Sequence, residues 1–150
     1  MVLGKHDMIP VGITRVVTAE PELGLGCIVV LEEIEGDRWF PIFIGYQEAL
    51  AIDRQLMGVE PPRPLTHDLL VDVILEVGGD VERVEVTNLT DATYFAQIVV
   101  RLAANDTREI DSRPSDALAI AGRTGPQIAI EQEVFLRATE SRWSLGCRKG

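Results

Sequence analysis

Two segments of the chain, Cys27–Ile52 (CIVVLEEIEGDRWFPIFIGYQEALAI) and Phe95–Ile120 (FAQIVVRLAANDTREIDSRPSDALAI), align without a gap at an offset of 68. The offset lays Glu48-Ala49-Leu50-Ala51-Ile52 on Asp116-Ala117-Leu118-Ala119-Ile120, and Asp37 on Asn105 at a turn. Each copy reads as an apolar strand, a short polar turn, a second strand and a helix opened by a carboxylate, so one supersecondary unit is used twice. The copies differ most at Asp111-Ser112-Arg113-Pro114-Ser115-Asp116, where the first copy has Phe43-Ile44-Gly45-Tyr46-Gln47-Glu48 and keeps only the final acid.

Outward from the repeat, the β-branched alternation of Ile9–Thr18 predicts a strand, followed by a connection through Pro21, Gly24 and Gly26. In the first copy Glu35-Gly36-Asp37 forms the turn, the helix covers Tyr46–Met57, and Gly58 stops it. Three prolines in Val59–Leu65 (VEPPRPL) make a stiff connector. Thr66 is a natural N-cap for a second helix with Leu69, Leu70, Val73, Ile74 and Val77 at helical spacing, ended by Gly78-Gly79. A strand at Val81–Val86 leads into the second copy, whose helix covers about Pro114–Arg123. A short strand at Gln127–Ile130 and a last helical turn or two at Glu131–Arg137 follow. The expected fold is α+β: a single compact domain over 1–140 with the duplicated unit and a mostly antiparallel or mixed sheet, then a tail at 141–150 without periodic signal.

A chain of 150 residues, 46% hydrophobic, can bury a core of its own. It carries 24 acidic and 14 basic residues, a net charge of −10, and its only lysines are Lys5 and Lys149. That is no basic footprint for holding a duplex, so any nucleic-acid role rests on local arginines or a bound cation. Cys27 and Cys147 have neither metal nor redox spacing. With no signal-like start and no apolar run of membrane length, a soluble cytoplasmic protein with no membrane partner is expected.

Two motifs carry candidate chemistry. At Asp111–Asp116, between a strand and a helix, free N–H groups and helix dipole meet an arginine fork and two carboxylates able to hold a divalent cation. A purely structural reading accounts for the same residues: Asp111 or Ser112 caps the helix, Pro114 starts it, and Asp116 complements its dipole. At Arg63–Asp68 the stiff connector delivers His67, beside Asp68, as a base or metal ligand, with Arg63 near an anionic substrate; capping or surface placement is the alternative. Glu48, Glu32 and Glu33 read as solvated charges on exposed faces. The motifs of P-loop, serine hydrolase, zincin and dinucleotide sites are missing.

The runs PIFIGYQEALAI, GVEPPRPLTHDLL, VERVEVTNLTDATYFAQIVV and EIDSRPSDALAIAGRTGPQIAI, in this order, resemble the bifunctional nuclease domain family over about Cys27–Val134. The resemblance implies a small α+β domain, often a homo-oligomer, and a nuclease acting on RNA and DNA, so RNA or single-stranded DNA is the expected partner. Its motifs contain Pro62, Arg63, Pro64, Thr66, His67 and Asp68, and Asp111, Arg113, Pro114, Ser115 and Asp116. In a metal-assisted mechanism Mg²⁺ or Mn²⁺ on Asp111 and Asp116, with Asp68 nearby, would activate water. His67 would act as base, and Arg63, Arg113 and Ser115 would bind substrate. This requires the two helix starts to converge; the alternative function is a non-catalytic module binding an anion or a protein. The repeat supplies a control, since a change at Glu48 should stay local while one at Asp116 should reach function.

Overall fold

The computed structural model describes residues 7–17 and 26–144. The expected connection through Pro21 and Gly24, His6, Cys147 and residues 145–150 of the tail lie outside the described residues. The elements are β1 (Met8–Val17), β2 (Cys27–Glu33), β3 (Trp39–Ile44), α1 (Tyr46–Leu56), α2 (Thr66–Glu76), β4 (Asp80–Thr90), β5 (Thr93–Arg101), a 3-10 turn (Ala103–Asn105), β6 (Thr107–Ser112), α3 (Pro114–Thr124), β7 (Gln127–Glu131) and α4 (Gln132–Ser144). The offset of 68 carries β3 onto β6 and α1 onto α3 residue for residue. The duplicated unit is therefore a unit of structure.

The strands form one seven-stranded sheet in the order β3-β2-β1-β7-β4-β5-β6. All neighbours are antiparallel except β4 and β7, where Val84 lies beside Ile128 in a parallel pair. Each copy thus supplies an outer edge, β3 or β6, and β7, which belongs to neither copy, joins the halves in the middle. Its Ile128, Ala129 and Ile130 are all buried, with a neighbouring strand paired along each edge. The fold is α+β with a mixed sheet, as the sequence predicts.

One core holds both copies together. Val29, Leu31, Phe40 and Ile42 from one half join Val84, Val86 and Ile98 from the other, and Ile52, Leu118, Ile120 and Phe135 cover them from the helices. Helix α3 is the central element, with seven buried residues from Pro114 to Ala121. Its alanines let α1 approach closely, and Gln55 of α1 lies against Gly122 while its Nε2 donates to the Ala119 carbonyl at 2.8 Å. Any side chain at position 122 would displace that amide.

Three local expectations change. Thr66 does not cap α2; the N-cap is Leu65, whose N–H donates to Asp68 Oδ2 at 3.0 Å, so the cap comes from inside the first turn. Neither Asp111 nor Ser112 caps α3, whose N-cap is Arg113 with Pro114 in the first helical turn. The last helix runs to Ser144 rather than stopping near Arg137. Among the described residues no helix is long and apolar enough to cross a membrane.

The β4–β5 hairpin turns at Asp91 and Ala92, both at positive φ (50° and 61°). A two-residue turn of this hand follows the twist of its strands but penalises a Cβ in the left-handed region. Ala92→Gly should raise stability by about 0.5–1 kcal/mol, after allowing for the greater freedom of glycine in the unfolded chain. The urea midpoint reads this directly, and a lower midpoint would contradict it.

Helix α2 buries only Val71 fully. Leu69, Leu70, Val73 and Val77 form an exposed stripe at three-four spacing on its outer side. A helix apolar on more than one side is ordinarily covered on more than one side.

Candidate functional site

The starts of α1, α2 and α3 come together at one place. The stiff connector ends at Leu65 in extended conformation, and the Asp68 cap fixes the direction in which α2 departs. On the next residue back, His67 reaches α3, where its Nε2 lies 2.8 Å from Asp116 Oδ1. Arg113, extended at the N-cap, folds over its own helix start: Nε donates to Asp116 Oδ2 at 2.8 Å and Nη2 to Oδ1 at 3.2 Å. The same Nη2 donates to Glu48 Oε1 of α1 at 3.0 Å. A continuous network Glu48–Arg113–Asp116–His67 results, drawing its members from both copies of the repeat and from α2 between them.

Accessibility grades along this network. The side chains of Glu48 and His67 are 14% and 18% exposed, Asp116 30% and Arg113 68%. The guanidinium is therefore the outermost member, presented to solvent, and the imidazole is held beneath it. Burial pushes the Asp116 carboxyl upward, but the hydrogen bonds and charges of Arg113 and His67 outweigh it and hold the group below the usual carboxylate value. Arg113 is held still more firmly protonated by its hydrogen bond to Asp116 and by the Asp116 and Glu48 charges. An ionised carboxylate only accepts, so His67 Nε2 carries a proton toward Asp116, and in that tautomer Nδ1 is the ring atom able to accept a further proton. A histidine so oriented by a carboxylate is equipped to take a proton, beside an arginine equipped to meet an oxyanion.

The other expected residues are placed apart from this pair. Asp68 is committed to the cap and to Arg123 Nε at 3.3 Å, near the end of α3. His67 and Asp68 thus clamp the two ends of one helix. Asp111 pairs in register with Gln97 on β5, and cross-strand partners share a face. That face is the one without helices, where Glu82, Glu85, Gln97, Glu109 and Glu131 line a shallow groove of about 920 Å³. Asp116 stands on the helical side, so the expected pairing of Asp111 and Asp116 around one cation is not formed. Ser115 is buried, and Arg63 is exposed without entering the network. Among the described residues no group of three or more His, Cys, Asp or Glu side chains is gathered to hold a metal ion.

The structure corrects the expectation that Glu48 is a solvated charge. It is the offset equivalent of Asp116 and ends on the same arginine, so a substitution there would not stay local. The signal is present in the repeat itself: equivalent helices that pack side by side bring equivalent first turns together. Arg54 and Gln55 of α1 line a small hollow beside His67 and Asp68 that spacing alone does not reveal. The next hollow, about 280 Å³ between the connector and α3, is walled by Val59, Pro61, Pro64 and Arg123.

The family model described as Bifunctional nuclease domain matches residues 29–142. An uncharacterized protein of Mycobacterium tuberculosis (strain ATCC 25618 / H37Rv) is 40% identical over 111 residues, covering 74% of this chain and 65% of that protein. Bifunctional nuclease 1 of Oryza sativa subsp. japonica is 24% identical over 109 residues, covering 71% of this chain and 33% of the rice protein. A protein named Bifunctional nuclease from Oryza minuta matches to the same extent. The chain thus spans just under two thirds of the mycobacterial relative's length and a third of the rice proteins'.

Proposed function

The chain belongs to the bifunctional nuclease domain family, and from that premise we propose that it is a nuclease whose phosphodiester chemistry takes place at the Glu48–Arg113–Asp116–His67 network. The observation that carries this reading is the 2.8 Å contact between His67 and Asp116 under an exposed arginine. His67, oriented by Asp116, takes the proton of the attacking hydroxyl, and Arg113 meets the charge that builds on the phosphate oxygens. Glu48 keeps the guanidinium over the site. The acidic groove on the opposite face would repel a phosphate backbone, which leaves the helical side for RNA or single-stranded DNA. Arg54, Arg63 and Arg123 lie on elements bordering the site and would track the strand beyond the scissile bond. The uncovered stripe of α2 suits burial against a second copy, in keeping with a homo-oligomer.

A Mg²⁺ or Mn²⁺ ion is the usual partner of such chemistry, supplying an activated water and charge relief. The residues present do not fit one well. Both oxygens of Asp116 and Oε1 of Glu48 already receive hydrogen bonds from Arg113 or His67, and Asp111 is on the other face. The chain's own histidine and arginine therefore carry the proposed chemistry.

Purified protein should cleave single-stranded RNA, single-stranded DNA or both, and His67→Ala should cost about 10²-fold or more in rate. A folded wild-type protein that cleaves neither, yet is stabilised against heat by phosphate or nucleotides, would instead favour an anion-binding module.

A further inference from the structure

We propose that the hollow between the connector and α3 is a base-binding subsite: it takes one unstacked nucleobase of the strand, from RNA or DNA alike, and so sets which phosphate lies against Arg113. The inference rests on the nuclease reading above and names what holds the strand. The hollow, about 280 Å³, is walled by Val59, Pro61 and Pro64 of the connector and by Gly122 and Arg123 of α3. The small hollow beside it shares Gln55, Val59, Pro61 and Asp68 and adds Arg54 and His67. The two therefore adjoin along one trough that reaches the imidazole.

Size, walls and charge select the ligand. Pockets for drug-sized molecules hold ~300–1,000 Å³, so this one suits a single ring system and not a base pair. Val59 is 52% exposed and Pro64 is exposed as well, and Gly122 adds no side chain opposite them. Apolar faces left uncovered in a concave wall match the flat face of a base, which every nucleotide has. On the floor, Gln55 Oε1 is buried without a hydrogen-bond partner among the described residues. An unsatisfied acceptor there favours a ligand that brings N–H donors, and each of the bases carries at least one on its edge. Of the two acids at the hollow, Asp68 is held by Arg123 and the Leu65 N–H, and Glu60 is exposed, open to such a donor. Arg123 borders the larger hollow and Arg54 the smaller. An apolar slot between two cations is the pattern of a base with a phosphate on either side. No part of it calls for a 2′-hydroxyl, so both kinds of strand enter. The base must first leave its stack, which a paired strand resists.

The test uses the full wild-type chain and a Val59→Trp variant, which fills the hollow from an exposed position. The substrates are end-labelled single strands of DNA and of RNA, each with one central abasic residue, and cleavage is read at every link. Wild type should cut both strands, losing about tenfold at a link of fixed distance and polarity from the abasic residue while remote links are cut normally. Val59→Trp should cut unmodified strands about tenfold more slowly and show no added loss near the abasic residue, because two removals of one contact do not add. Annealing a complement should slow cleavage by about tenfold or more. A ladder undisturbed by the abasic residue, a gap in only one kind of strand, an abasic loss in the variant as large as in wild type, or a duplex cut as fast as a single strand would overturn the inference and leave the nuclease reading standing. No cleavage of any strand would overturn both.

Discussion

Asp116→Asn is expected to lower the rate of RNA cleavage by about 10²- to 10⁴-fold while leaving the protein folded. The substitution keeps the size of the side chain and removes its charge, the one property that both Arg113 and His67 depend on. An asparagine at this position can present its amide N–H to His67 as readily as its oxygen, so the imidazole loses the constraint that leaves Nδ1 free as a base. Arg113 loses its bidentate partner and retains only Glu48. Glu48→Gln should cost less, of the order of tenfold, because it loosens the arginine without touching the histidine. Steady-state kinetics on one RNA substrate checks both, and an Asp116→Asn protein as active as wild type would remove Asp116 from the mechanism. The same variant has a signature in acid. The Asp116 carboxyl titrates below its usual value in the folded protein, so it adds stability at pH values above about 3.9, its value in the unfolded chain. That contribution disappears as pH falls through the lower folded value. The stability of wild type should therefore fall more steeply than that of Asp116→Asn below pH ~4, as followed by urea unfolding across that range.

Ile120→Ala should destabilise the fold by about 2–5 kcal/mol, and its offset equivalent Ile52→Ala by a similar amount. Both side chains are fully buried in the single core, on helices that also touch one another. Truncation removes the transfer energy of the lost carbons and leaves a cavity that α1 and α3 cannot close without disturbing the Gln55–Ala119 contact. Against the roughly 5–15 kcal/mol typical of a domain, either variant should unfold at markedly lower urea. A cost under about 1 kcal/mol at both sites would mean that the repeated Ala-Leu-Ala-Ile stretches do not form the centre of the core.

The repeat makes much of this fold legible because its signals are local. β-branched alternation, a polar turn and a helix stop each act over a few residues, and the offset sets β3 against β6 and α1 against α3. Properties that depend on distant pairing are not legible. Nothing in Gln127–Glu131 says that this strand lies in the middle of the sheet, and nothing in the first turns of α2 and α3 says that His67 meets Asp116, 49 positions away. The misplacement of Asp111 has a simpler cause. A strand alternates its faces, and the stretch separating Asp111 from Asp116 includes the passage from strand to helix, so nearness in sequence does not mean a shared side. The expected end of α4 falls short because the exposed Gln132, Glu133, Leu136 and Arg137 mix polar and apolar types and blur the helical spacing of the buried Val134, Phe135 and Ala138.

The place of β7 in the sheet also sets when the site can exist. Glu48 stands on the helix that follows the first half of the sheet and Asp116 on the one that follows the second, and the seam between the halves is closed by β7, with Met8 paired to Glu131. Pairings so distant in sequence carry the largest entropic cost of loop closure and cannot form until that strand has been made. During synthesis, each half can assemble its own meander while the seam stays open. A network whose arginine clamp reaches across such a seam has a built-in delay: the Glu48–Arg113 contact waits on β7, so the proposed cleavage would begin only once that strand has been made and paired.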